Sequence, residues 1–116
     1  MKEIWMDIKG YEGLYQISNK GRVKGFYSRG KYNERIMNNH LSGVVRRNYP
    51  QISLYKNGIR KTFRIHYLMA STFLNYKQIS RKIVIDHIDN NPLNNNLNNL
   101  QIVTMAYNSI KDRKYV

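Results

Sequence analysis

Seven of the ten residues from Asn90 to Asn99 are asparagine and an eighth is the helix-breaking Pro92, so no regular helix can run through this stretch. Asparagine side chains bond to nearby backbone and favour turns over helix interiors. Before the run stands the apolar segment Ile83-Val84-Ile85, continued by Asp86-His87-Ile88-Asp89. After it come Gln101-Ile102-Val103 and Thr104, a suitable N-cap for a helix through about Arg113. An asparagine run alone often marks disorder. Here the flanking apolar segments predict strand, ordered turn-rich loop, strand, helix.

Upstream, residues 5–26 read as short strands separated by glycine turns. Leu14-Tyr15-Gln16-Ile17-Ser18 has strand composition, Ser18-Asn19-Lys20-Gly21 is a turn, and Arg22 to Phe26 returns as the partner strand. Residues 27–48 are basic, polar and weakly periodic, which predicts a loop with a short strand near Ile36. Ile52 and Leu54, then Phe63 and Ile65, alternate with polar neighbours on either side of Asn57-Gly58, a strong hairpin signal. His66 to Asn75 follows as a helix with Met69, Ala70 and Phe73 on one stripe. The expected fold class is α+β: a small N-terminal antiparallel sheet with a helix over residues 1–80, then a strand–loop–strand–helix module over 81–116, the two forming one compact unit.

Charge narrows the function. Twenty Lys and Arg against seven Asp and Glu give 116 residues a formal net charge of +13. A compact domain so charged repels itself unless an anion neutralises it, and nucleic acid is the leading partner. No basic amphipathic helix or lipidation motif points to a membrane, and no apolar run approaches the roughly 18 residues of a membrane span. The absence of cysteine removes disulfides and thiolate metal sites. With acids and Trp5 within the first seven residues and no apolar signal segment, the expectation is a soluble cytoplasmic protein.

Asp86, His87, Asn99 and Asn108 carry the chemistry. A hard divalent cation takes oxygen ligands and keeps several waters, so one carboxylate and one amide oxygen suffice from the protein. Asp86 and Asn108 suit that task, and His87 is suited to take a proton from water. Adjacent side chains on a strand point to opposite faces, so Asp86 and His87 can serve one phosphate only where the strand ends or bends. Asn99 is assigned to bracing the loop that aims His87. Asp89 reads as an Asx turn in that loop, and His66 as packing or capping on its helix. Arg46, Arg47, Arg60, Lys61 and Arg64, with Arg81, Lys82, Lys111 and Arg113, are candidates for contact with phosphates.

Asp86-His87-Ile88-Asp89, Asn91, Asn94-Asn95, Asn99-Leu100, Val103-Thr104 and Asn108 together resemble the HNH endonucleases, in particular the phage homing branch with a ββα-metal fold. Asp7 to Gly13, followed by Tyr15 to Asn19 and Gly21, is similar to the nuclease-associated modular motif that often precedes that nuclease. His66-Tyr67-Leu68-Met69-Ala70 resembles the family's pre-nuclease helix.

The resemblance implies Asp86 and Asn108 as metal ligands, His87 as general base and Asn99 as the middle asparagine. It further implies Mg2+, with Mn2+ or another divalent ion able to substitute, and double-stranded DNA cut to 5′-phosphate and 3′-hydroxyl ends. A phage-encoded enzyme would act in the bacterial host cytoplasm. Many members have histidine where Asp86 and Asn108 stand; the Asp/Asn pairing fits the homing branch. Larger homing enzymes continue into C-terminal DNA-binding helices, and this sequence ends at Val116. That carries the expectation of weak site preference or of a targeting protein partner. A non-catalytic nucleic-acid-binding module on the same scaffold is the rival reading, and an RNA-binding structural protein the third.

Overall fold

The computed structural model describes residues 2–41, 49–77 and 80–108. Its first sheet is an antiparallel meander of β1 (Trp5–Asp7), β2 (Tyr15–Ser18), β3 (Val23–Ser28) and β4 (Lys31–Met37), in that spatial order. Its second joins β5 (His40–Leu41), β6 (Pro50–Lys56) and β7 (Ile59–Arg64). Helix α1 (Ile65–Phe73) follows β7 directly, and β8 (Ile83–His87) pairs with β9 (Leu100–Thr104) as an antiparallel hairpin. A 3-10 turn over Leu97–Asn99 leads into β9, and residues 105–108 begin a helix. Among the described residues, no helix is long and apolar enough to cross a membrane.

One core joins these parts. Ile17 from β2, Ile8 just after β1, Ile52 and Leu54 from β6, Ile65, Leu68 and Met69 from α1, and Leu100 from β9 belong to a single buried cluster. Burying an Ile, Leu or Met side chain contributes roughly 1.5–3 kcal/mol, so this cluster is what holds the hairpin of β8 and β9 to the sheets. Ile65, Leu68 and Met69 lie at i, i+3 and i+4, one face of α1. Polar ties add direction: the Tyr15 hydroxyl accepts the Tyr55 N–H at 3.1 Å, and Lys56 Nζ donates to the Gly10 carbonyl at 2.8 Å.

Turn chemistry sets the registers. Asn57 and Gly58 have φ of 53° and 75°, the positive pair a two-residue hairpin requires, and Lys56 pairs with Ile59 across them. Asn75 closes α1 in a left-handed conformation at φ 54°, with the Tyr76 N–H returning to the Ala70 carbonyl at 3.1 Å. Thr104 caps the final helix by accepting the Tyr107 N–H at 3.1 Å.

Two expectations are corrected. The short strand expected near Ile36 is the seven-residue β4, which takes in more of the region read as a loop and pairs with β3 through an Arg29-Gly30 turn. Most of β4 is exposed, so no apolar alternation marks it; its pairing with β3 specifies it. Ile65, read as the end of a strand, is the first residue of α1 and is buried by it.

Candidate active site

Strand β8 ends at the candidate dyad. Asp86 faces Gln101 and His87 faces Leu100 in the ladder, and the Ile88 N–H closes it onto the Asn99 carbonyl at 2.8 Å. The chain then turns, with the Asn90 N–H bonded to the His87 carbonyl at 2.9 Å and Asn90 at φ 61°. Both side chains are buried, at 5% and 8% exposure. Their surroundings differ, as alternation along a strand demands. Asp86 Oδ2 accepts Gln101 Nε2 from directly across the ladder at 2.8 Å. The His87 ring lies 5.1 Å from the His66 ring, edge to face, and stacks 6.1 Å from Tyr49. Its Nε2 is 2.8 Å from Asn95 Oδ1.

The asparagine loop is a net of amide bonds. Asn99, itself buried, accepts the Asp89 N–H at 3.1 Å and donates to Asp89 Oδ1 at 2.9 Å and to the Asn94 carbonyl at 2.8 Å. Asp89 Oδ1 also accepts the Asn91 N–H at 2.8 Å, an Asx turn, and Asp89 Oδ2 accepts Asn94 Nδ2 at 2.8 Å. Donation from Asn94, then from the Asn91 backbone and from Asn99, lowers the Asp89 carboxyl to about 2. A charged, exposed carboxylate is thereby fixed as the hub of the loop.

His66 is the other perturbed group. Burial first, then the neighbouring His87 and the Arg64 charge, lower its imidazole from 6.5 to about 3. Its buried Nδ1 has no hydrogen-bond partner among the described residues. It does not cap α1, whose N-cap is Arg64 and lacks a side-chain cap bond. It packs, and what it packs against is His87.

Asn108 lines a cavity of about 720 Å³ together with Arg64, His66 and Arg81; Ile85, the residue before Asp86, forms part of the same wall. Arg64 also lies over the Tyr49 ring at 4.8 Å. The other candidate cations are dispersed. Lys61 borders a separate hollow with Lys56 and Gly10, Arg60 donates to Ser53 Oγ at 3.2 Å, and Lys82 is exposed. Arg46, Arg47, Lys111 and Arg113 lie outside the described residues. Among the described residues no three His, Cys, Asp or Glu side chains gather as an ion cage. Asp86 and His87 are not among the residues that line the cavity beside Asn108; as ligand types, one carboxylate and one amide oxygen would suit a hard divalent cation that retains most of its water. Sequence reasoning missed Asn95, Gln101 and Tyr49 as neighbours of the dyad. Only the cross-strand register could have suggested Gln101, and nothing in a run of amides singles out Asn95.

Residues 78–110, which contain this hairpin and its loop, match the model for the HNH endonucleases, and residues 3–55 match the NUMOD4 motif. The chain carries an HNH endonuclease segment preceded by a NUMOD4 motif. It is 38% identical over 104 residues to DNA endonuclease I-HmuI of Bacillus phage SP01, an alignment covering 90% of this chain and 54% of that protein. It is 37% identical over 95 residues to the uncharacterized HNH endonuclease L245 of Acanthamoeba polyphaga mimivirus, covering 82% of this chain and 26% of that one. H-N-H endonuclease F-TflII of Escherichia phage T5 is 29% identical over 97 residues, covering 84% and 46%. In solved structures, the HNH homing endonuclease I-HmuI, studied for DNA binding and cleavage, superposes with a TM-score of 0.77 at 36% identity, over 97% of this chain and 59% of that one. This HNH chain spans about half the length of the two phage relatives, and about a quarter of the mimivirus one.

Proposed function

We propose that this chain is a DNA endonuclease that hydrolyses phosphodiester bonds with a divalent metal, Mg2+ by preference, and that it acts in the cytoplasm of a bacterial host. The observation that carries the reading is a buried Asp86-His87 pair ending one strand of a hairpin, with Asn108 on the helix that follows. Asp86 and Asn108 would hold the metal. When bound, such an ion stabilises the charge that develops on the phosphoryl and leaving oxygens. Gln101 holds the Asp86 carboxylate in place. His87 takes the proton from the attacking water, a task worth about 10²–10⁴-fold for a positioned base. Arg64 and Arg81, on the cavity that Asn108 lines, neutralise the approaching phosphates.

Relaxation of supercoiled plasmid in Mg2+, with and without chelator, tests the reading. Wild type is expected to nick only with metal, and Asp86→Ala and His87→Ala to bind DNA without nicking. Unchanged nicking by either purified variant would refute the assignment. Salt-dependent binding with intact plasmid in every divalent ion would mark an inactive module instead.

A further inference from the structure

The turn between β2 and β3 touches the loop that holds the proposed base. Gly21 packs on Asn95 so closely that a Cβ there would stand 3.0 Å from the Asn95 Cβ and 3.1 Å from its carbonyl oxygen. Two residues on, the Leu97 N–H donates to the Asn19 carbonyl at 2.8 Å, so residues 95–97 lie along residues 19–21. The turn is itself firmly held. The buried Ser18 hydroxyl accepts the Lys20 and Arg22 N–H groups at 3.1 and 3.3 Å, and the Gly21 N–H bonds the Ser18 carbonyl at 2.9 Å. The Asn19 side chain accepts the Ile4 N–H at 2.9 Å and donates to the Lys2 carbonyl at 3.1 Å. Gly21 suits the place twice over: its φ is +81° and its missing side chain leaves room for Asn95.

We propose that this turn of the N-terminal motif is a positioning element of the nuclease site: Asn19 and Gly21 seat Asn95, and Asn95 fixes the His87 imidazole. The inference rests on His87 being the general base. An amide oxygen 2.8 Å from Nε2 requires the proton on Nε2, which leaves the lone pair of the neutral ring on Nδ1. The base atom is thus chosen by a residue eight positions away, whose backbone is set by a turn more than seventy positions away. The N-terminal sheet then contributes to the rate of cleavage and not only to the grip on DNA.

The test uses the full chain. Plasmid nicking in Mg2+ at saturating DNA gives kcat, binding in chelator gives DNA affinity, and nitrogen-15 spectra of the histidines report the His87 tautomer. Asn95→Leu, which keeps the volume and removes the acceptor, is expected to lower kcat on the order of 10- to 100-fold, the scale of a misplaced catalytic group. DNA affinity should stay within about twofold of wild type in that variant, an allowance well under the uniform loss expected when a phosphate contact is removed. The Nε2–H signature of His87 should be lost with it, whereas Asn95→Asp, which retains an acceptor, should keep both signature and most of the rate.

Gly21→Asn tolerates the positive φ yet drives a Cβ into Asn95, so it should lower kcat like Asn95→Leu. Gly58→Asn places the same residue at φ +75° with nothing within 4 Å and should leave kcat unchanged. Wild-type kcat in folded Asn95→Leu, or a lower kcat with the tautomer intact, would overturn the link to His87. Wild-type kcat in Gly21→Asn would overturn the role of the turn, and should that variant not fold, Asn19→Ala, which adds no clash and removes the turn's side-chain bonds to Ile4 and Lys2, supplies the same comparison. Full nicking by His87→Ala is a separate outcome, because it removes the base assignment on which the inference stands.

Discussion

Lowering the pH should loosen this fold through one imidazole, and the size of the effect follows from its surroundings. His66 sits between His87, Tyr49 and Arg64, and burial is the main reason its imidazole is lowered from 6.5 to about 3. Between those two values the unfolded chain binds the proton and the folded chain refuses it. Stability therefore falls as pH falls through the window, at about 1.4 kcal/mol per pH unit. From pH 7 to pH 5 the loss from this group alone amounts to about 2 kcal/mol, a large share of the stability of a small domain. His66→Phe keeps an aromatic ring and removes the titration. Urea unfolding at the two pH values should show wild type losing about 2 kcal/mol more than the variant. Equal losses in the two proteins would mean that the folded state accommodates a charged His66, and that its burial between His87 and Arg64 is not what the geometry indicates.

Two other perturbations probe the loop and the basic surface. Asn99→Ala removes three hydrogen bonds around Asp89 and Asn94 and should cost roughly 2–3 kcal/mol at about 1 kcal/mol each, read from thermal unfolding. Asn99→Asp would set a second carboxylate against Asp89, so its destabilisation at pH 7 should shrink on acidification toward pH 3, and a pH-independent cost would contradict the assignment of Asn99 Nδ2 as donor to Asp89 Oδ1. Arg64→Ala and Arg81→Ala, on the wall of the cavity that Asn108 lines, should each reduce the slope of log K against log salt by about 1 for duplex DNA. An unchanged slope in both would move the DNA contact elsewhere.

The sequence was most readable where chemistry and geometry coincide. The Asn57-Gly58 turn, the paired strands around it and the strand–loop–strand order of the hairpin follow from positive-φ residues and apolar alternation. The dyad stood out because an acid and an imidazole follow an apolar run. What stayed hidden was hidden for physical reasons. Strand β4 has little apolar alternation because its side chains are mostly exposed, and its turn uses Arg29 where Asn or Asp would have signalled it. Lys61 and Arg64 look alike in sequence, yet they border different hollows. Asn95 is chemically identical to its six neighbours in the run, and only the fold brings its amide to His87.

A loop made of amides has a consequence for how such a site works on a polyanion. Among residues 88–99, Asp89 is the only ionisable side chain, and it is held ionised down to about pH 2. The frame that carries Asn95 therefore presents an arriving phosphate with one fixed negative charge, and its hydrogen bonds, all from neutral donors, are screened by salt far less than ion pairs are. Ionic strength can strengthen or release the hold of Arg64 and Arg81 on DNA while the shape of the loop stays the same. Affinity and active-site shape are thus tuned by separate means within one small domain.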